Sequence, residues 1–421
     1  MKNMKRFRQI IAHPLFSGSA IMIGGSMTVN VVNYVYHLIV GRMLGPVNYG
    51  VLASLFSIMY IVGIVPTSTS VAIVKFISSG KDAREVATIY KSINRLVFTI
   101  AASLSILTVI ISPFIANFLH IDNIFLIVLI APVLFFSLVT LVNQATSQGL
   151  LKFMGFVLPN LVYSLVKISL GILFIVLGFS VFGAMGALVI GIIAAYLVSI
   201  PYVRNIVNIK IKDGGYNLKP FLKYSFPVLL QALAFTSLFT TDIILVKHFL
   251  SPFDAGIYAA LSTLGKIIFF ASSPISSVMF PVISGRNAKG EKYQKVFWAS
   301  FFATLIISVV IVSFYYFFPN LAIGILYGSA YLSAKAGLIW MGMFVLIYTV
   351  SILLVNFSLS LGKTKVIIFP LTASILQVVF IWLFHNNIIQ VIQISFLDST
   401  LMFLGLVLYL GYNRLLKLYD R

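Results

Sequence analysis

The sequence predicts an all-α, polytopic membrane protein with about twelve transmembrane helices in two six-helix lobes. Three observations carry this prediction. Of the 421 residues, 60% are hydrophobic and only 9% are charged, whereas a soluble domain carries about 25% charged residues. The apolar residues form long segments, and the basic residues fall in alternate gaps between them. A motif in the first half of the chain recurs in the second half, which predicts two related lobes.

Each apolar segment is long enough to cross a bilayer as a helix, which takes about 20 mostly apolar residues. The first six segments cover residues 14–41, 47–75, 94–118, 123–150, 153–178 and 181–203. The second six cover residues 224–250, 255–282, 296–318, 332–361, 364–385 and 388–413. The gaps are short and rich in Gly, Pro and charged residues, as loops are. Residues 81–95 carry mixed charges, and we expect them to form a surface loop.

The distribution of basic residues tests this count, because cytoplasmic loops of membrane proteins are enriched in Lys and Arg. With the N-terminus in the cytoplasm, 24 of the 29 Lys and Arg residues fall on the cytoplasmic side. The other five are Arg42, Lys167, Lys247, Lys266 and Lys335. We therefore expect a multi-pass protein of the cell membrane with both termini in the cytoplasm. The net charge of +20 is then mainly an orientation signal that also attracts anionic lipids, and it predicts no nucleic-acid partner.

An internal repeat divides the chain into halves. Residues 44–50 (LGPVNYG) align with residues 250–256 (LSPFDAG), 206 positions later. Three further matches lie close to the same offset: residues 79–81 with 284–286, Pro113 with Pro319, and Pro66 with Pro274. Because six crossings return the chain to the same side, both halves enter the membrane in one orientation, which predicts a pseudo-two-fold axis along the membrane normal. We expect an N-lobe over residues 1–210 and a C-lobe over residues 211–421.

The motif at residues 44–50 resembles the Leu-Gly-Pro-x-x-Tyr-Gly element of bacterial oligosaccharide and polysaccharide flippases. That family belongs to a superfamily with the multidrug and toxin extrusion antiporters and the lipid II flippase. The resemblance covers the whole chain, and it implies movement of undecaprenyl-diphosphate-linked oligosaccharides from the inner to the outer leaflet by alternating access. It implies a lipid-linked oligosaccharide and membrane lipids as partners, and possible contacts with a glycan polymerase and glycosyltransferases of the same pathway.

Polar stripes on two segments mark candidate substrate-binding residues. A lysine at the centre of a membrane helix costs about 2.5–3.5 kcal/mol on insertion scales, so it needs an anion or water nearby. The diphosphate that the resemblance implies is such an anion. The candidates share helical spacing on one face of the first or fifth segment, and they are Asn33, Tyr34, His37, Asn160, Ser164 and Lys167.

The remaining membrane cations have two interpretations each. Lys266 lies in the middle of the eighth segment and is a second substrate-binding candidate. It can instead pair with Asp242 of the seventh segment, because the two depths differ by only about 5 Å. Arg42 and Lys247 lie at repeat-related positions near outer helix ends, where they either line a cavity mouth or, like Lys335, extend towards lipid headgroups.

Carboxylates inside the membrane are candidate sites for a coupling ion. Asp242 and Asp398 lie within apolar segments, and Gln377 of the eleventh segment is a possible third ligand. We expect these residues to bind a coupling Na⁺ or H⁺, and we expect no other cofactor.

Two other functions stay open from the sequence alone. One is a cation-coupled multidrug antiporter of the same superfamily. The charged residues inside the membrane segments are mostly basic, however, which favours an anionic substrate. A membrane glycan polymerase or ligase is the other, although the predicted outer loops are short and almost uncharged. The chain has no cysteine, and its five histidines are scattered without metal-site spacing, so we predict no catalytic residues and no metal site.

Overall fold

A computed structural model describes residues 14–210 and 216–419. The cations Lys2, Lys5, Arg6, Arg8, Lys212 and Arg421, which support the predicted orientation, lie outside these residues. Within them the regular structure is helical: α1 (Pro14–Val62), α2 (Ile64–Ser78), α3 (Ala83–Phe118), α4 (Phe125–Val128), α5 (Ile130–Gly149), α6 (Met154–Val176), α7 (Ser180–Val207), α8 (Lys219–Phe249), α9 (Pro252–Ala288), α10 (Gln294–Phe317), α11 (Pro319–Leu326), α12 (Lys335–Ser360), α13 (Ile368–Leu383) and α14 (Ile388–Tyr419). Two 3₁₀ turns, Ser329–Ala334 and Thr364–Ile367, precede α12 and α13.

The first two predicted crossings meet inside α1. Eleven helical spans of the described residues are long and apolar enough to cross a membrane, and one of them, Gly24–Val62, has 39 residues. A helix of that length extends about 58 Å, nearly twice the hydrocarbon thickness of about 30 Å. Gly45 divides it, because its φ of 69° and ψ of 174° are not helical. With this span divided at Gly45 and the arm after Gly45 joined to α2, the described residues form twelve segments long and apolar enough to cross a membrane, the number that the sequence predicts.

The expected surface loop at residues 81–95 is wrong, because α3 already begins at Ala83. Asp82 caps this helix: its side chain accepts a hydrogen bond of 2.7 Å from the backbone N–H of Glu85. The Glu85 carboxylate in turn accepts one of 2.8 Å from the backbone N–H of Lys81. The charged residues of this stretch form the solvent face of an amphipathic first turn, and a high charge content is common to such faces and to loops.

The repeated motif is a helix start in both halves. In the second copy, Ser251 caps α9 and Pro252 occupies its first turn, where the missing N–H of proline costs nothing. The Ser251 hydroxyl accepts a bond of 3.1 Å from the N–H of Asp254 and donates one of 2.7 Å to its carboxylate. In the first copy, Gly45 and Pro46 occupy the equivalent places.

The last glycines of the two motif copies lie against each other. A Cβ added to Gly256 would overlap the backbone oxygen of Pro46, and one added to Gly50 would lie 2.7 Å from the backbone nitrogen of Gly256. Only residues without a side chain allow backbones to approach so closely. The motif therefore specifies a close backbone contact as well as a helix start.

The chain forms two compact units. The first comprises residues 1–44 and 58–232, and the second comprises residues 45–57 and 233–421. The predicted lobe boundary at residues 210 and 211 stays a prediction. The short segment 45–57 clusters with the second unit because Tyr49 bonds within it: its hydroxyl lies 3.1 Å from those of Thr263 and Tyr327.

The core of the first unit combines apolar packing with one polar chain. Buried apolar side chains of α2, α3, α5 and α7 form a continuous cluster that includes Ile73, Val97 and Val142. Beside it, Asn143 accepts a hydrogen bond of 2.9 Å from Tyr90 and donates one of 2.9 Å to Ser199. This chain joins α3, α5 and α7, and it satisfies polar groups that apolar surroundings would otherwise destabilise.

Candidate functional site

The predicted lysine of the first unit lies in a buried cluster between α1 and α6. Lys167 is only 3% exposed. Its Nζ donates a hydrogen bond of 2.5 Å to Oδ1 of Asn33, and the Ser164 hydroxyl donates one of 3.3 Å to the same oxygen. The ammonium also lies over two aromatic rings, 4.4 Å from the ring centroid of Tyr36 and 5.3 Å from that of Tyr163. The structure thus brings together three of the predicted residues around one cation.

Helical spacing and one glycine build this cluster. Asn33 and Tyr36 are three residues apart on α1, and Ser164 and Lys167 are three apart on α6, so each pair shares a helix face. Gly171 lies one turn beyond Lys167, and a Cβ there would come 3.0 Å from the Tyr36 ring. The glycine therefore leaves room for the edge of the Tyr36 ring beside α6, while the Lys167 ammonium lies over the face of that ring.

The other candidates of the first unit are placed less centrally. Asn160 donates a hydrogen bond of 3.0 Å to the carbonyl of Phe156 in its own helix. Tyr34 and His37 are half-buried on α1, where the His37 ring meets the edge of Tyr36 at 5.7 Å between centroids. Arg42 is exposed.

In the second unit, Asp242 is held by a tyrosine. Its carboxylate accepts a hydrogen bond of 2.6 Å from the Tyr258 hydroxyl and one of 2.9 Å from the backbone N–H of Ile243. The ammonium of Lys266 lies 4.8 Å from the ring centroid of Phe239. The direct hydrogen-bond partner of Asp242 is Tyr258, and the Asp242–Lys266 pair stays a prediction.

The two other ion-coupling candidates lie at a polar network between α13 and α14. Gln377 donates a bond of 3.0 Å to the Ser395 hydroxyl and one of 3.3 Å to the backbone carbonyl of Leu238. Asp398 follows Ser395 by one turn of α14 and therefore shares its face.

Several buried oxygens in and next to this network have no hydrogen-bond partner in the structure. Asp398 is 1% exposed, and both of its carboxylate oxygens are without a hydrogen-bond partner in the structure. The same is true of the Gln377 side-chain oxygen and the Ser399 hydroxyl. Buried polar atoms are normally satisfied, and oxygen ligands suit a hard cation such as Na⁺. These residues therefore fit a bound cation or a proton on Asp398, whereas no cluster of three His, Asp or Glu side chains suited to a metal occurs in the described part of the chain.

The cations predicted at outer helix ends separate into two kinds. Arg42 and Lys335 are exposed, as expected of side chains that extend to headgroups. Lys247 departs from that expectation, because it is only 2% exposed within the second unit. Arg42 and Lys247 are therefore repeat-related in sequence but differ in environment.

Sequence reasoning missed the aromatic hydroxyls and rings that hold the charged groups. In the sequence Tyr258 is one of many aromatic residues within the apolar segments. It follows Asp242 by sixteen residues, across the turn between α8 and α9. Tyr36 follows Asn33 by one turn, and this i, i+3 relationship was the available signal for the cation–π contact. In a chain with 20 Tyr and 37 Phe, such positions do not stand out by residue type.

Comparison with solved structures defines the fold class. An inward-facing multidrug resistance MATE family transporter of the MOP superfamily matches with a TM-score of 0.72 at 14% identity, over 91% of this chain and 95% of that one. The lipid II flippase MurJ in an inward closed conformation matches with a TM-score of 0.73 at 16% identity, over 93% and 87%. A MOP superfamily transporter from Pyrococcus furiosus matches with a TM-score of 0.61 at 16% identity, over 96% and 97%. The chain has the fold of MOP superfamily transporters.

A family model narrows this class. Residues 39–336 match the model described as polysaccharide biosynthesis protein, and the chain belongs to that family. No curated protein matches the sequence. Family and fold together describe a multi-pass membrane protein of the polysaccharide biosynthesis family with the fold of MOP superfamily transporters.

Proposed function

We propose that this protein moves an undecaprenyl-diphosphate-linked oligosaccharide from the cytoplasmic to the outer leaflet of the cell membrane by alternating access. The observation that carries the proposal is the buried ammonium of Lys167 in a membrane protein of a polysaccharide biosynthesis family. A charge in that position costs free energy on insertion, and binding an anion offsets that cost. We further propose that both termini are cytoplasmic and that the chain has no enzymatic activity of its own.

The chemistry of the Lys167 cluster favours a phosphate headgroup. The ammonium has three N–H donors, and one of them points to Asn33. The amide of Asn33 and the hydroxyl of Ser164 are neutral groups that can exchange partners without leaving a charge behind. A diphosphate oxygen that replaced Asn33 would add the attraction between opposite charges, which is stronger in a buried site than in water. Asn33 would then be free to bond the sugar or the second phosphate.

The test of this function is a flipping assay in proteoliposomes. The substrate is a polyprenyl-diphosphate oligosaccharide with a fluorescent sugar, and the readout is the fraction that a membrane-impermeant quencher can reach over time. We expect protein-dependent flipping of this substrate and little flipping of a matched lipid in which a neutral linker replaces the diphosphate. Equal rates for both lipids would contradict a phosphate-recognising site.

Coupling to an ion gradient is proposed for the second unit. Replacing Asp398 with Asn removes a charge whose oxygens lack partners, so folding should be preserved, while a cation can no longer be held by a carboxylate. We expect Asp398→Asn to make the flipping rate insensitive to an imposed Na⁺ or H⁺ gradient.

The matched control for this prediction is Glu291→Gln, which neutralises an exposed acid. This variant should keep the response to the gradient. If Asp398→Asn, and likewise Asp242→Asn, respond to the gradient as the unmodified protein does, ion coupling through these carboxylates is wrong.

A cation-coupled multidrug antiporter is the second candidate, and the two buried carboxylates of the second unit favour it. It differs from the first candidate in the charge of its substrate. An antiporter should move organic cations such as ethidium against a gradient, and it should not need Lys167. Ethidium transport that survives Lys167→Met, without any flipping of the diphosphate lipid, would select this candidate.

A further inference from the structure

A pocket of about 380 Å³ lies inside the second unit, between α9, α10 and α12. Its wall carries hydroxyl and amide side chains from all three helices, among them Ser272, Ser277, Thr304, Thr349 and Asn356. The volume corresponds to about a dozen water molecules at liquid density, and it lies at the small end of the range for ligand pockets. None of the described residues that line it is charged.

The corresponding helices of the first unit enclose a buried apolar cluster. By the internal repeat, α2, α3 and α5 of the first unit correspond to α9, α10 and α12. There the cluster includes buried apolar residues such as Ile73, Val97 and Val142. The second unit has an apolar cluster too, around Met279 and Leu353, and Leu353 also lines the pocket.

One wall residue has an unused hydrogen-bonding group. Thr304 is 1% exposed, and its hydroxyl is without a hydrogen-bond partner in the structure. A buried hydroxyl left unsatisfied costs about 1–3 kcal/mol, so its place in a pocket wall indicates that a ligand or water supplies the partner. Opposite, Asn356 donates a bond of 2.9 Å to Ser276, which leaves acceptor capacity on the amide oxygen.

Helix α9 adds backbone acceptors on the same side. Pro274 and Pro281 lack the N–H groups that would bond the carbonyls of Phe270 and Ser277. The Ser273 hydroxyl donates to the Phe270 carbonyl at 3.3 Å. Proline thus removes the helical donor from the Ser277 carbonyl, at a residue that lines the pocket.

We propose that this pocket binds one uncharged sugar ring of the transported headgroup, an inference that rests on the proposed function. A pyranose presents CH groups on its faces and hydroxyls around its edge. The aromatic sides of Phe269 and Phe280 suit the faces, and the Ser, Thr and Asn groups suit the edge. A uronic acid or another acidic sugar would place a carboxylate among uncharged groups, which burial strongly disfavours.

The place of the pocket next to Lys266 strengthens this assignment. Phe269 packs against Phe239 with 5.2 Å between ring centroids, and Phe239 carries the Lys266 ammonium on its face. Ser273 lies seven residues from Lys266 on α9, which is about 10.5 Å along the helix axis. A sugar in the pocket would therefore lie about two helical turns from Lys266, the other lysine that the sequence predicts to bind substrate.

The natural absence of cysteine allows a direct test. Ser277 lines the pocket and is exposed, and its neighbour Val278 is exposed without lining it. The variants Ser277→Cys and Val278→Cys are labelled with a maleimide in the full-length protein, with and without methyl glycosides. We expect methyl glucoside or methyl N-acetylglucosaminide to slow labelling of the Ser277→Cys variant and to leave the Val278→Cys variant unchanged, while methyl glucuronide protects neither.

A second substitution in the pocket wall tests whether protection depends on hydrogen bonds to the sugar. Adding Thr304→Val or Asn356→Leu to Ser277→Cys should weaken protection by about threefold to tenfold, the effect of one lost neutral hydrogen bond. Protection by the glucuronide equal to that by the neutral glycosides, or no protection by any of them, would overturn the proposal and leave a water-filled pocket beside a proline-containing helix.

Failure of the sugar pocket can be distinguished from failure of the proposed function. If the diphosphate lipid is flipped but neutral glycosides do not protect the thiol introduced by Ser277→Cys, only the sugar pocket is wrong. If neutral glycosides protect that thiol but the lipid is not flipped, the pocket stands and the lipid-linked substrate is wrong.

Discussion

Replacing Lys167 with methionine should abolish flipping while the protein folds at least as well as before. Methionine fills nearly the same volume without a charge, and it can pack on the rings of Tyr36 and Tyr163 as the lysine stem does. A buried charge costs free energy even when it has partners, so its removal should leave thermal stability unchanged or raise it. A charge-assisted hydrogen bond to phosphate contributes about 1.5–3 kcal/mol, so transport should fall about tenfold to a hundredfold or more.

Two further variants test whether flipping depends on the charge of Lys167 or on its packing. Lys335→Met removes an exposed lysine and should leave both flipping and stability unchanged. Asn33→Asp keeps Lys167 but places a carboxylate where the amide oxygen now lies 2.5 Å from Nζ. This internal ion pair should stabilise the cluster and compete with phosphate, so flipping should fall although the lysine remains. If Asn33→Asp flips lipid at the normal rate, Lys167 is a structural residue.

The second large effect is expected at the glycine contact of the repeated motif. A Cβ at position 256 would overlap both the backbone oxygen and the backbone carbonyl carbon of Pro46. Backbone atoms cannot turn away as a side chain can, so Gly256→Ala must displace segment 45–57 or the start of α9. Overpacking of this kind costs about 1–3 kcal/mol and sometimes more. We expect a lower melting temperature in detergent and a severe loss of flipping.

Gly285→Ala provides the control within the same helix. A Cβ at position 285 meets nothing within 4 Å, and alanine is favoured over glycine in a helix by about 1 kcal/mol. This variant should be as stable as the unmodified protein or more stable, with normal flipping. If Gly256→Ala behaves in the same way, the close contact between the two motif copies does not matter to the molecule.

Much of the architecture follows from the sequence because a bilayer imposes strong rules on it. Length, hydropathy and the side on which basic residues lie predicted twelve crossings, and the repeat predicted where equivalent helices begin. The errors arose where these signals conflict with local chemistry. The charges between Ala83 and Arg95 favoured a loop, although Asp82 and Glu85 are a helix-capping pair. The predicted loop between the first two crossings is reduced to a kink at a single non-helical residue, Gly45.

The candidate sites were predictable in their residues but not in their partners. Helical spacing placed Ser164 and Lys167 on one polar stripe and Asn33 on another, and the structure brings these three residues together. It gave no information about which side chain of another helix would approach Asp242, and this role belongs to Tyr258. Contacts between helices depend on rotation and tilt, which periodicity within one helix does not specify.

The pocket of the second unit shows the same limit. Hydroxyl and amide side chains of α9, α10 and α12 meet there around one cavity. Ser273 and Ser277 share a helix face with Lys266 in the sequence, but spacing within one helix gave no sign that Thr304 and Asn356 of two other helices would meet them. Their convergence around the unpartnered hydroxyl of Thr304 became visible only in three dimensions.

The most direct test of the central claim, that the buried ammonium of Lys167 binds the diphosphate of a lipid-linked oligosaccharide, is the flipping rate of Lys167→Met in proteoliposomes. This variant, the unmodified chain and Lys335→Met are reconstituted at equal density, and folding is checked by thermal stability in detergent. We predict a stable Lys167→Met protein that flips the diphosphate-linked oligosaccharide at most about one-tenth as fast, the smallest effect expected for one charge-assisted bond. A stable Lys167→Met protein that flips this lipid at the unmodified rate would contradict the account.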